Sequence, residues 1–205
     1  MKKTNLLILL AIGTMIFLSA CDSNLTTTGF LSDYSYLQSE SNPALWYVKE
    51  DAITGYHSFI VDPVKVRFRK GAKAIEEQIK GKLTQLEINQ LTYYMHAKIV
   101  EAIQKSGNNV VHQPGTGVAR IRVAITDIEK STIASLFPQA RLAGIGLGGA
   151  SMEAEIIDSI THQQIALVIK AKKGSRIPFV NLRRWDAAKQ VIDDWAKRFQ
   201  KNLAG

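Results

Sequence analysis

Apolar and polar positions alternate along several stretches of this chain and recur at helical spacing along two others. In Phe59 to Phe68, Val64, Val66 and Phe68 alternate with Lys65, Arg67 and Arg69. That period of two predicts a strand with one wet face, and Pro63, lacking an amide hydrogen, predicts an edge position or a bulge. Val118 to Ile128 repeats the pattern, with Ile121, Val123 and Ile125 on one side and Arg120, Arg122 and Thr126 on the other. Met152, Ala154 and Ile156 oppose Ser151, Glu153 and Glu155, and a turn at Thr161-His162-Gln163 leads into Ile165 to Ala171. Those two runs predict a hairpin. A short strand is expected at Val110 and Val111, before the turn-forming Gln113-Pro114-Gly115-Thr116-Gly117.

Thr84 to Lys105 predicts a helix. Thr84 and Glu87 have the spacing of a capping box, Leu83 and Ile88 that of a hydrophobic staple. Ile88, Leu91, Met95, Ile99 and Ala102 then form one stripe, and Gly107 ends the element. Arg184 to Leu203 predicts a second helix, buried through Ala188, Ile192, Trp195 and Phe199. The expected fold is therefore α+β: a mixed, mostly antiparallel sheet of four to five strands with two amphipathic helices on one face. The strand–helix order is similar to that of envelope domains of the TolB N-terminal type.

The first residues follow another logic. Lys2 and Lys3 precede an apolar run from Leu6 to Phe17, interrupted only by Gly13 and Thr14. This has the build of a secretory signal, and it falls short of the roughly 20 residues a bilayer span needs. Leu18-Ser19-Ala20-Cys21 resembles the lipobox of bacterial lipoproteins. The resemblance implies a diacylglyceryl thioether on Cys21, cleavage before it, and acylation of the new amine. The expected division is a signal peptide over 1–20, a lipidated tether over 21–28, and one periplasmic domain over 29–205. Within that domain, Phe30, Leu31, Tyr34 and Tyr36 are costly to leave in water, so this stretch is expected to lie along the fold. Asp22 resembles the residue that retains enterobacterial lipoproteins in the inner membrane, with the outer membrane the other option.

Cys21 is the only cysteine, so no disulfide framework is expected. The signal takes two lysines from a formal charge of +8, leaving +6. A basic domain at a membrane suits anionic headgroups or a polyanionic wall polymer. Nucleic acid is not an expected partner of an exported, tethered chain.

Gly29-Phe30-Leu31-Ser32-Asp33-Tyr34-Ser35-Tyr36-Leu37, Ile121-Arg122-Val123-Ala124-Ile125-Thr126-Asp127, Ala154-Glu155 and Asp193-Asp194-Trp195-Ala196 together resemble a lipoprotein family known as domain of unknown function 3313. The resemblance spans most of the mature chain and implies no particular activity.

Candidate chemistry is sparse. With Cys21 lipidated no thiol nucleophile remains, and no Gly-x-Ser-x-Gly elbow occurs. His57, His96, His112 and His162 are scattered singly, without metal-ligand spacing. No catalytic residue, metal or other cofactor is expected. The glycines from Gly144 to Gly149 precede a strand instead of opening a helix, so close packing is favoured over phosphate binding, with membrane or partner contact between the two. Glu153 and Glu155 share a strand face, as do Arg120 and Arg122, and cross-strand ion pairing on a wet face accounts for all four. Lys65, Arg67 and Arg69 form the densest basic run. They are the candidate contact for an anionic surface, against the simpler reading of a charged edge strand that resists self-pairing.

The leading expectation is a non-enzymatic accessory domain that binds an envelope protein or surface component from the periplasmic side. A hydrolase or transferase acting on lipid or wall polymer is one alternative. A carrier with an internal apolar cavity, placed beneath Ser131 to Gly149, is the other.

Overall fold

A computed structural model describes residues 27–35, 44–48, 53–132, 138–142, 147–174 and 185–204. The signal segment, Cys21, Asp22, Tyr36 and the loop glycines Gly144 and Gly146 lie outside them. The described elements are β1 (Ala44–Val48), β2 (Ser58–Val61), β3 (Lys65–Val66), α1 (Lys73–Ile79), α2 (Gln85–Lys105), β4 (Asn109–Val110), β5 (Val118–Glu129), α3 (Pro138–Leu142), β6 (Gly149–Asp158), β7 (Gln164–Lys173) and α4 (Asp186–Leu203).

The fold is α+β, built on a mixed sheet in the order β1-β7-β6-β5-β2-β4, with β3 also paired to β5. β5, β6, β7 and β1 run antiparallel in turn, whereas β2 and β3 lie parallel to β5, and β4 parallel to β2. Parallel neighbours need a long crossover, and α2 supplies it between β2 and β4. The described residues thus form seven strands where four to five were expected, because β1 falls in a stretch without clear alternation and the Phe59–Phe68 run is two strands. Pro63 interrupts that run: β2 pairs with Val118 to Ile121, and β3 resumes at Ala124 and Ile125. β2 buries both Phe59 and Ile60 between β5 and β4, so the pattern with one wet face belongs to β3 alone.

α2 begins as its sequence requires. The Thr84 hydroxyl accepts from the Glu87 amide, and the Glu87 carboxylate accepts from the Thr84 amide at 2.8 Å. Leu83 and Ile88 are both buried, as a staple demands. Ile88, Leu91, Met95, Ile99, Ala102 and Ile103 are buried from α2, and Ala187, Ala188, Val191, Ile192 and Trp195 from α4. Both helices cover the sheet face that carries Ile121, Val123, Met152, Ile156 and Val168. α1 is an additional short helix. Asp127 holds its start, accepting from the Ala74 amide at 3.0 Å and from Arg69 at 3.1 Å. A register shift between Ile125 and Asp127 marks a bulge that frees Asp127 for this task.

The opposite sheet face is covered over its centre. Residues 27–35 run across it as a strap, burying Phe30 and Leu31 with Ala124, Leu167 and Ile169, and Tyr34 packs against that cluster. Burial of two such side chains contributes about 1.5–3 kcal/mol each, which answers the expectation that this aromatic stretch lies along the domain. The molecule therefore has three layers: helices, sheet and strap.

Candidate functional site

β6 sends alternate side chains to the two faces of the sheet, and each face carries a distinct feature. On the strap side, Glu153 and Glu155 are both 1 % exposed. Glu153 accepts from the Thr28 amide at 2.7 Å, the Thr28 hydroxyl at 2.9 Å and the Tyr34 hydroxyl at 2.6 Å. Glu155 accepts from the Ser32 amide at 2.8 Å, the Ser32 hydroxyl at 2.7 Å, Gln164 Nε2 at 2.7 Å and the Arg122 guanidinium. Arg122 also lies over the Phe30 ring, 5.2 Å from its centroid. The Tyr34 hydroxyl is held protonated by burial and by its bond to Glu153, which raise its pKa.

This arrangement corrects the expected pairing of two arginines with two glutamates. The register sets Arg122 opposite Glu155 but Arg120 opposite Ile157, and Ala124 opposite Glu153. Arg120 turns instead to Asp62 at 2.6 Å. Only one of the expected ion pairs forms, and the backbone and hydroxyls of the strap replace the other. A buried carboxylate must be hydrogen-bonded to persist, and here the strap does it. With their oxygens so occupied, the two carboxylates form a clasp.

On the helix side, Met152, Ala154 and Ile156 floor an apolar cavity of about 410 Å³, walled by Met95 and Ile99 of α2 and by Ile192, Trp195 and Phe199 of α4. This lies within the range of roughly 300–1,000 Å³ typical of small-molecule sites. It is placed between the sheet and the two long helices, not beneath Ser131 to Gly149. Three cations join the lining: Lys98, Lys170 and Arg198. Burial, then the nearby charges of Arg198 and Lys172, lower the Lys170 pKa. Glu155 also borders the space, but its carboxylate is bound by Arg122 and the strap. Lys98 is held by Glu101 at 2.8 Å. The pattern of the sequence could have hinted at this cavity: β6 places Ala154 between Met152 and Ile156, a small residue where its neighbours are large.

The basic run is divided. Lys65 and Arg67 are exposed, whereas Arg69 is turned onto Asp127. Lys65 is registered with Ala124, on the strap face of the sheet, and Val66 packs into the core on the other. Of the glycine loop, the described Gly148 and Gly149 are close-packing positions: a Cβ on Gly148 would sit 2.7 Å from the Ser131 amide nitrogen, and one on Gly149 2.5 Å from the Lys172 carbonyl oxygen. His96 is a flank residue, with Nε2 3.4 Å from the Val61 carbonyl. Among the described residues, no three His, Cys, Asp or Glu side chains gather as a metal site, and no helix is long and apolar enough to cross a membrane.

Fold and site together define an α+β fold in which a strap is clasped by buried carboxylates and two helices cover an apolar cavity. The family model described as "Protein of unknown function (DUF3313)" matches residues 26–199, and the chain belongs to that family. Among proteins of curated function, none matches the sequence. Two solved structures of the PelC dodecamer from Paraburkholderia phytofirmans are similar in part. One, a leucine-to-methionine variant, has a TM-score of 0.45 at 8 % identity, covering 77 % of this chain and 95 % of that one. The other has a TM-score of 0.44 at 8 % identity, covering 76 % and 97 %. A Caulobacter crescentus CB15 protein assigned as a lipoprotein gives 0.35 at 10 % identity, covering 74 % and 92 %. Likenesses of this size say nothing about function.

Proposed function

We propose that this protein is a lipid-anchored lipoprotein of the bacterial envelope, held through Cys21 and facing the periplasm. Its domain is a non-enzymatic binding module for an anionic single-chain amphiphile. Asp22 favours the inner membrane as the site of anchorage.

The observation that carries the reading is the cavity. Its walls are aliphatic and aromatic, which suits an acyl chain, and Lys98, Lys170 and Arg198 suit a carboxylate or phosphate at one end of that chain. Each buried methylene contributes about 0.8 kcal/mol. The enzyme alternative has less support, since the strap and Arg122 occupy the paired carboxylates that offered general acid–base chemistry.

The test uses the lipidated protein reconstituted in phosphatidylcholine vesicles, with a photoreactive fatty acid as probe and its methyl ester as control. Crosslinks to peptides from β6 and α4, lost on adding unlabelled dodecanoate and on Ala154→Trp, are the expected result. Circular dichroism establishes that the Ala154→Trp variant is folded, and Met152→Phe is a milder way of filling the same space. Equal labelling by the ester would overturn the anionic part of the proposal. Labelling that neither variant reduces would overturn the cavity as its site.

A further inference from the structure

The strap has a direction. Ser32 binds Glu155, and four residues earlier Thr28 binds Glu153, so towards its N-terminus the strap moves towards the start of β6. That end of the sheet is where Gly149 stands opposite both Glu129 of β5 and Lys173 of β7. From Thr27 back to Cys21 is six residues, which span at most roughly 20 Å at 3.3–3.6 Å each. The clasp therefore limits how far this end of the sheet can stand from the lipid.

A run of cationic side chains leads from the middle of the sheet towards the same end. β3 runs parallel to β5, so the segment after it climbs towards Glu129: the Arg67 amide donates to the Ile125 carbonyl at 2.9 Å, and the Arg69 amide to that of Thr126 at 3.1 Å. Lys65, Arg67, Lys70 and Lys173 are all exposed. Lys65 is registered with Ala124, the residue under Phe30 and Leu31, so the basic run borders the strap itself.

We infer that the sheet end formed by Glu129, Gly149 and Lys173 faces the membrane in which Cys21 is anchored, with Lys65, Arg67, Lys70 and Lys173 against anionic lipid headgroups. The inference rests on the lipid anchor proposed above and is independent of the cavity. Two features converge: the length and exit direction of the tether, and a charge sign complementary to an anionic bilayer. An anchored chain loses little further freedom on docking, so even weak headgroup contacts bias its orientation. The opposite end of the sheet, at the β6–β7 turn, would then project into the periplasm.

Orientation can be read with the lipidated chain in vesicles, because Cys21 is occupied by lipid and a new cysteine can be labelled alone. A fluorophore at Lys173→Cys is compared with one at Gln163→Cys in the turn, using nitroxide-headgroup lipid as quencher. Vesicles of phosphatidylcholine with phosphatidylglycerol should quench the Lys173→Cys probe more strongly than the Gln163→Cys probe. The excess should fall in pure phosphatidylcholine, and on adding Lys65→Glu, Arg67→Glu and Lys70→Glu together. Equal quenching at both positions, or an excess at Gln163→Cys, would overturn the orientation. An excess unaffected by lipid charge or by the three reversals would overturn the headgroup contact. The mass of the N-terminal peptide reports separately on the anchor: an unmodified Cys21 would sink that reading and this inference with it, leaving the cavity untouched.

Discussion

Thr28 donates both its amide and its hydroxyl to the carboxylate of Glu153, at 2.7 and 2.9 Å, across 125 positions of sequence. The N-terminal part of the strap is thus fixed to the middle of β6, inside the sheet. An anchor at Cys21, as proposed above, would be tied to the domain's interior at Thr28, seven residues on.

Tyr34 should be energetically coupled to Glu153. Its hydroxyl donates to the carboxylate at 2.6 Å and accepts from the Leu31 amide at 3.1 Å. Tyr34→Phe leaves a buried carboxylate one donor short and an amide without its acceptor, which should cost about 1–3 kcal/mol. In a Glu153→Ala background the same change should cost much less, since one of those bonds is already gone. Urea unfolding of the four proteins in the cycle gives the coupling. Additive effects would mean that the bond carries no stability.

Glu155 should be the less tolerant of the two clasp positions. Its side chain is fully buried while Arg122 is 28 % exposed, so the pair is held against water mainly from the carboxylate side. Glu155→Ala strands Arg122 beneath Phe30 and removes the acceptor of Ser32, with an expected loss of about 3 kcal/mol or more. Loss of protection should appear in hydrogen exchange at the Ser32 amide before global unfolding. A change under about 1 kcal/mol, the scale of a surface pair, would show that the pair behaves as if solvated.

The sequence made some parts of this structure plain and hid others for physical reasons. α2 was legible to its cap because Thr84, Glu87, Leu83 and Ile88 act within one turn. The β6–β7 hairpin was legible because β6 alternates and the turn at Thr161-His162-Gln163 leads straight into the apolar run of β7. The clasp was only half visible. Glu153 and Glu155 read as a wet face because local alternation cannot show that residues far away in the chain will cover it. Arg120 and Arg122 looked like equivalent partners, and register, which pattern does not fix, sent Arg120 to Asp62. The cavity depends on how two helices meet a sheet, and the small Ala154 between Met152 and Ile156 is a local trace of it that does not place the helices.

Gly148 should resist substitution. It has φ of +70°, and a Cβ there would meet the Ser131 amide nitrogen at 2.7 Å and the Glu129 carbonyl oxygen at 2.8 Å. Both neighbours are backbone and cannot turn aside. Gly148→Ala combines a left-handed conformation with overpacking, so a loss of about 2–5 kcal/mol is expected. Gly107 offers the control: its φ is +82°, and a Cβ added there would meet no atom within 4 Å. Gly107→Ala should therefore cost only the conformational part, about 1–2 kcal/mol. Equal losses at the two positions would show that the loop around Ser131 yields.

Acid stability should depend on Asp158, at the end of β6. Its carboxylate accepts from the Thr161 amide at 2.7 Å, the Tyr56 hydroxyl at 2.8 Å and the Ile160 amide at 2.9 Å. Thr161, Tyr56 and Ile160 together hold its pKa down at about 2, from an ordinary 3.8, while burial and the contact with Asp158 push Tyr56 up to about 12. A carboxylate whose folded pKa is depressed stabilises the fold above its unfolded value, and that contribution disappears as pH falls through the folded one. The stabilisation should thus be complete above pH ~4 and decline towards pH ~2. Asp158→Asn abolishes the titration, so the variant should be less stable than the parent at neutral pH, and the gap should close across that window. Urea midpoints taken from about pH 5 down to about 2 test this. Two curves that stay parallel would show that Asp158 titrates alike in the folded and unfolded chains, and that the turn is held by its backbone alone.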